Sequence, residues 1–235
     1  MSTHASPAQG REIDGWPQAD AEGRPVRFTS RDPRPRPDEY EPVLIGAALR
    51  LEPMRESHID ALCRVGLDPA VTRYMPFQVK TPDQMAAWVQ ESIAGRAAGT
   101  AIPFVTVLNE AGSPEMVVGT TRFLSIDPRN RRMEVGGTWI GLRWQRTRVN
   151  TEAKYLMLRH AFEELEYLRI EFKTDSLNER SRAALLRIGA VQEGVFRSHV
   201  ITAEGRIRHS VYFSITVEEW PAVKVRLEGM LSRPA

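Results

Sequence analysis

Apolar and polar positions first fall into a regular pattern near Val43. From Ala47 to Pro53 (AALRLEP) they alternate, the period of a half-buried strand. Ser57, with Asp60 three positions on, opens a helical stretch in which Ile59, Leu62, Val65 and Gly66 share one side. Thr81-Pro82-Asp83-Gln84 is a stronger start. Threonine caps, proline suits the first helical position and glutamine reaches back to the cap, which predicts a helix to about Ala98. Ile102 to Leu108 and Met116 to Ile126 then read as strands of a hairpin joined by the turn-rich NEAGSPE, with Arg132 to Gly141 as a third strand in series.

The second half changes rhythm. Val149, Ala153, Leu156, Met157, His160, Ala161 and Leu165 recur at helical spacing and define a long amphipathic helix. Leu168 to Thr174 alternates as a strand, and Asn178 to Ile188 is helical again, stopped by Gly189. Val191 to Ile201 and Ile207 to Val217 are strands around the turn AEGR, and a short helix follows Glu218. The order β-αα-βββ-α-β-α-ββ-α combines hairpins with helical crossovers. It predicts an α/β domain with a mixed, mostly antiparallel, seven-stranded sheet between helices.

Composition narrows the class. With 42% apolar and 26% charged residues the chain is a globular protein. Its longest uncharged apolar run, Ala101 to Leu108, is far short of the roughly twenty residues that cross a bilayer. The start MSTHASPAQGREIDG has neither a basic nor an apolar signal region, so a cytoplasmic protein with no membrane partner is expected. A single cysteine, Cys63, and scattered histidines give no metal pattern, and no metal is expected. The first forty residues hold six prolines and no helical or alternating period, which predicts a mobile or extended arm over 1–42 ahead of one domain at 43–232. The net charge of +2 does not suggest a nucleic-acid partner. Between Thr121 and Asn150, however, seven arginines face only Asp127 and Glu134, and such a cluster suits a few phosphates.

That cluster ends in Trp139-Ile140-Gly141-Leu142-Arg143-Trp144-Gln145-Arg146-Thr147-Arg148-Val149-Asn150-Thr151. A strand end, a tight connection and a helix start bring successive amides to one point, where the helix dipole favours an anion. The plainer reading is an ordinary strand-to-helix turn capped by Asn150 or Thr151.

The run WIGLRWQRTRVNTEAKYLMLRHAFE, followed by RIEFKTDSLNERSRAALLRIGAVQEGVFR and GRIRHSVYFSITVEEWP, resembles the GNAT superfamily of acetyl-CoA-dependent N-acetyltransferases. The resemblance covers roughly Leu44 to Leu227 and is closest to the branch that includes the ribosomal-protein N-terminal (alanine or serine) acetyltransferases. It implies that Gln145, Arg146, Thr147, Arg148, Val149, Asn150 and Thr151 cradle the pyrophosphate of acetyl-CoA, that a main-chain N–H near Ile140, where two central strands splay apart, polarises the thioester carbonyl, and that Leu142 also contacts the cofactor. The family's two loop glycines are replaced by Arg148 and Asn150. Glycine lets a phosphate approach the main chain closely, whereas Arg146 and Arg148 would add charge-assisted bonds. The resemblance also implies that Asn178 touches the pantetheine arm, although asparagine caps a helix whatever its function. Where many relatives carry a tyrosine acid this chain has Leu185, leaving Ser181 as the candidate proton donor to the departing thiolate.

Acetyl transfer also needs a neutral amine. Glu134 matches a glutamate that serves as base in many relatives, the rival reading being a strand carboxylate paired with a neighbouring arginine. His160 reads as a packed, hydrogen-bonded side chain, His199 and His209 as surface residues, and Tyr212 as core or dimer packing. Two functions follow: an enzyme acting on an acyl-CoA thioester and an amine acceptor of open identity, with a homodimer through the last strands as the analogy to such folds implies, and a non-catalytic acyl-CoA-binding regulatory module.

Overall fold

The computed structural model describes residues 40–109 and 116–233. Eight strands, β1 (Leu44–Ile45), β2 (Leu49–Pro53), β3 (Ala101–Leu108), β4 (Met116–Asp127), β5 (Arg132–Ile140), β6 (Arg169–Asp175), β7 (Val191–Ile201) and β8 (Ile207–Thr216), form one sheet in the order β1-β2-β3-β4-β5-β6-β8-β7. Only β5 and β6 pair in parallel; every other neighbour is antiparallel. The helices are α1 (Ile59–Gly66), α2 (Pro69–Thr72), α3 (Pro82–Ala97), α4 (Val149–Arg159), α5 (Glu179–Ile188) and α6 (Trp220–Leu231).

The expected α/β class holds, with eight strands in place of seven. The chain reverses at Gly46, whose amide donates to Leu49 O at 2.9 Å, so Leu44 and Ile45 fold back onto Leu51 and Arg50. The alternation read from Ala47 therefore belongs to a strand that starts at Leu49, and the stretch before it to the hairpin turn. Two further details differ. Ser57 does not cap α1: a 3-10 turn at Glu56–His58 precedes the helix, its start fastened by the Arg55 amide on His58 Nδ1. A short third helix, α2, begins on the Asp68 cap, which accepts the Ala70 amide. The arm expected over residues 1–42 lies almost wholly outside the described residues. Its last residues are fastened: Tyr40 OH sits 2.7 Å from His160 Nε2 and Glu41 pairs with Arg55 and Arg96.

Helix α3 begins as its sequence predicts, with Thr81 Oγ1 accepting the Gln84 amide and Gln84 Oε1 accepting the Lys80 amide. β3 is buried along almost its whole length because both of its faces are covered. Ile102 and Phe104 belong to a core under α4, α5 and α6 that also holds Met133, Val135, Leu156, Met157, Ile170, Phe172 and Phe213. Val105 and Val107 belong to a second core with Leu62, Met85, Trp88, Val89 and Trp139 beneath α1 and α3. Each such side chain, fully buried, contributes about 1.5–3 kcal/mol. The second cover stops short: over β6, β8 and β7 the same sheet face is lined by Lys173, Tyr212 and Phe196, none of them buried.

His160 is packed as the sequence suggests, 1% exposed, with Nδ1 2.8 Å from Glu164 Oε2, and burial holds its imidazole below the ordinary value.

Candidate active site

The parallel contact between β5 and β6 is brief. Arg132, Met133 and Glu134 pair with Arg169, Ile170 and Glu171, and there the ladder ends while both strands run on. From Val135 to Ile140, β5 has partners only on its β4 side, so a gap opens toward the start of α4. Gly137, at φ +56, marks a bulge at the mouth of that gap, a conformation in which side chains are strained.

The end of β5 points its polar groups into this gap. The amide of Gly141 donates to Val118 O at 2.9 Å, which makes Gly119 and Ile140 a non-hydrogen-bonded pair. The N–H and C=O of Ile140 therefore face away from β4. Gln145 Nε2 donates to that carbonyl at 2.9 Å, and the N–H of Ile140 faces the gap.

A 3-10 turn, Leu142–Trp144, then leads to α4. Leu142 is 44% exposed, and Arg146 takes the left-handed conformation at φ +66. Neither Asn150 nor Thr151 caps the helix, since both already lie in its first turn. Thr147 does this work, its Oγ1 accepting the Val149 amide at 3.3 Å while donating to Trp144 O. Glu152 is the first residue to donate back into the helix, so among the described residues the amides of Asn150 and Thr151 have no acceptor. The Thr151 hydroxyl is engaged by Arg187 of α5 at 3.1 Å.

The arginines divide. Arg146 is exposed beside the open amides, whereas Arg148, expected on phosphate, donates to Leu231 O at the end of α6. Arg180 reaches from the first turn of α5 to Gln145 Oε1 at 3.0 Å, a role that its place in NERS hints at. Asn178 caps α5, Oδ1 accepting the Ser181 amide at 3.1 Å, and Ser181 lies half-buried in that first turn. Leu185 is a core residue, 6% exposed.

Glu134 stands at the last paired position, 5% exposed, with Oε2 3.3 Å from Lys173 Nζ. Its partner is thus a lysine from the parallel strand, 39 positions away in sequence, rather than a neighbouring arginine. Its Oε1 occupies the space that a Cβ on Gly136 would need, 2.7 Å away. Directly across β4 from Gly136 lies Arg122, whose guanidinium packs over Gly137 and the Trp88 ring. No hydrogen bond or ion pair joins Glu134 to Ser181 or to the 145–151 loop among the described residues. The sheet gap separates the two groups.

Lys154 has no forewarning in the sequence. It is buried in α4 with Nζ donating to Thr138 Oγ1 at 2.8 Å, and burial pulls its ammonium down to about 7.

The sheet thus splays between β5 and β6, with a helix start suited to an anion at its open end. Residues 48–191 match the acetyltransferase (GNAT) domain family, and the chain belongs to that family of acyl-CoA-dependent N-acetyltransferases. It is 34% identical over 100 residues to a Bacillus subtilis (strain 168) protein provisionally named ribosomal N-acetyltransferase YdaF, covering 43% of this chain and 54% of that one. The match thus spans about half the length of that relative. A GCN5-related N-acetyltransferase from Brucella melitensis superposes with a TM-score of 0.77 at 27% identity, covering 87% of this chain and 91% of the other. Mycobacterium smegmatis RimJ in complex with CoA-disulfide shares the fold, with a TM-score of 0.67 at 22% identity over 81% of this chain and 92% of that one.

Proposed function

We propose that the chain transfers an acetyl group from acetyl-CoA to a primary amine, on a protein N-terminus or a small molecule, by direct attack in a ternary complex. The observation that carries this reading is the pair of open amides at Asn150 and Thr151, set at the end of the gap that Ile140 faces. Amides at a helix start, with Arg146 beside them, suit a diphosphate. The other loop positions, Gln145, Thr147, Arg148 and Val149, hold the turn in shape through the bonds described above. The CoA-disulfide held by RimJ, which shares the fold, supports the same coenzyme here.

In the reaction the amine nitrogen bonds to the thioester carbonyl carbon and the carbon–sulfur bond breaks. The nitrogen gives up a proton and the sulfur gains one. Glu134 accepts the amine's proton, oriented by Lys173. The N–H of Ile140 donates to the oxygen as negative charge develops on it, and Leu142 covers the thioester arm. The Asn178 amide group, its oxygen already used as the α5 cap, retains its N–H donors for the pantetheine arm. Ser181 donates to the departing sulfur.

Among the described residues no helix is long and apolar enough to cross a membrane; a cytoplasmic site of action is part of the same proposal. A homodimer through the last strands draws support from exposed Val195, Phe196, Ile201 and Ile207.

One observation favours the non-catalytic module instead: core burial of Leu185 where many relatives carry a tyrosine acid. Thiol release from acetyl-CoA with a panel of amines, including peptides that begin with Ala or Ser, separates the two. The enzyme reading expects release that Glu134→Gln lowers about a hundredfold in kcat. Coenzyme binding with no release above background for any amine would leave the module.

A further inference from the structure

The sheet face beneath α1 and α3 holds a group of polar atoms that acetyl transfer, as set out above, leaves unused. Arg122 Nε, Trp88 Nε1 and Thr120 Oγ1 are buried and have no hydrogen-bond partner. They belong to one patch. Thr120 and Arg122 lie on the same face of β4, the Arg122 guanidinium is 5.6 Å from the Trp88 ring centroid, and Trp88 is 6.0 Å from Trp139, the β5 residue paired with Thr120. Trp88 and Thr120 are 6% and 1% exposed. All three can donate, and none has found an acceptor.

Charge points the same way. Arg122 makes no ion pair among the described residues; its guanidinium reaches only Ser92 Oγ, at 3.3 Å, with exposed Glu91 and buried Glu134 farther off. Near Glu134 the other cations are in ion pairs: Lys173 with Glu134, Arg206 and Arg208 with Asp175, Arg132 with Asp127 and Glu171, and Arg169 with Glu171 and Glu193, which leaves Arg122 over. Arg208, 5% exposed, faces Asp175 Oδ2 through Nε at 4.0 Å, an ion pair without a hydrogen bond. A desolvated guanidinium with neutral donors beside it, and no carboxylate within ion-pair distance, is a site for an oxyanion.

We infer that Arg122, Trp88 and Thr120 form an oxyanion subsite next to Glu134, so that the acceptor is an amine bearing a carboxylate or phosphate close to its nitrogen. This deepens the reading of the chain as an amine acetyltransferase and rests on it. Gly136 and Gly137 leave room for the two opposed groups: a Cβ on the first would strike Glu134 Oε1, and one on the second would strike Arg122 Nε. Glu134 then faces the amine and Arg122 the anion, which sets the reach of the acceptor and disfavours polyamines and aminoglycosides, whose cationic groups would meet Arg122.

The test uses matched amines differing in one group: an amino acid, its carboxamide, the amine without the carboxyl group, and the aminoalkyl phosphonate. On the full chain loaded with coenzyme A, calorimetry should show an anionic amine binding at least about tenfold more tightly than the carboxamide. With acetyl-CoA, kcat/KM should favour it by a similar factor, chiefly through KM. Arg122→Gln should collapse that ratio toward one, and Arg122→Lys should restore part of it; the carboxylate and phosphonate arms tell which oxyanion fits. Equal binding and equal rates for amino acid and carboxamide would overturn the subsite. Selective binding of the anionic amine with no acetyl transfer would instead uphold the subsite and defeat the transferase reading.

Discussion

Helix α4 starts from Arg148, a residue with no side-chain cap, and leaves the amides of Asn150 and Thr151 without acceptors, whereas α5 starts from Asn178, whose oxygen takes the amide of Ser181. Both helices border the same gap and both follow a strand. Their far ends differ as well: α5 stops on Gly189 at φ +103, in the left-handed conformation that suits a helix end, while α4 runs on into a wide turn at His160–Glu164. The contrast teaches that the backbone amides of α5 are closed by its own cap, so that α5 can meet a ligand only through side chains. α4 is left open where an anion can complete it, and the Arg146 backbone is held in a conformation that favours glycine.

The largest expected effect lies on the buried flank of the two helices, where α5 carries Leu185 and α4 carries Lys154. Burial lowers the Lys154 ammonium from 10.5 to about 7 in the folded chain, so between those values the unfolded chain binds more protons than the folded one. Stability therefore rises with pH across that window, and the penalty is fully present below it. Lys154→Met should raise stability at pH 7 by several kcal/mol and flatten the rise. Denaturant unfolding of both proteins at a series of pH values checks this, and parallel curves would refute it.

Asn150→Asp comes next and acts in opposite directions on fold and ligand. A carboxylate in the first turn favours the α4 dipole by about 0.3–1 kcal/mol, yet it repels a diphosphate, so coenzyme A affinity should fall about tenfold or more while the melting temperature holds or rises. Asn178→Ala reverses the pattern: loss of the cap should cost about 1 kcal/mol in a thermal melt with a smaller change in coenzyme affinity. Smallest is Arg146→Gly, which relieves the left-handed backbone by roughly 0.5–1 kcal/mol and weakens coenzyme binding a few-fold by removing one exposed cation. A gain in affinity from that change would mean that Arg146 does not face the ligand.

The sequence foretold α3, α5 and the β7–β8 hairpin nearly to the residue, because Thr81-Pro82, Asn178 with Gly189, and AEGR are local signals that need no tertiary partner. Asn178 as a cap was readable for the same reason. The brief β5–β6 contact was not, since the ends of a parallel ladder depend on two strands separated by the whole of α4. The partner of Glu134 was hidden likewise: nearby arginines suggested themselves, while Lys173 meets it only after the strands align. Thr147 displaced Asn150 and Thr151 as the cap because α4 begins earlier than its polar residues suggest. The Trp88, Thr120 and Arg122 group unites α3 with β4 and leaves no periodic trace.

The open start of α4 is tested most directly by following backbone amides by NMR during titration with coenzyme A, with pantetheine, which lacks the diphosphate, as the control. The amides from Arg146 to Thr151 should shift with coenzyme A and stay in place with pantetheine, while the Ser181 amide, already bonded to Asn178, should move far less. If millimolar coenzyme A leaves Asn150 and Thr151 unmoved, the diphosphate is not held there and the account of the cleft is wrong.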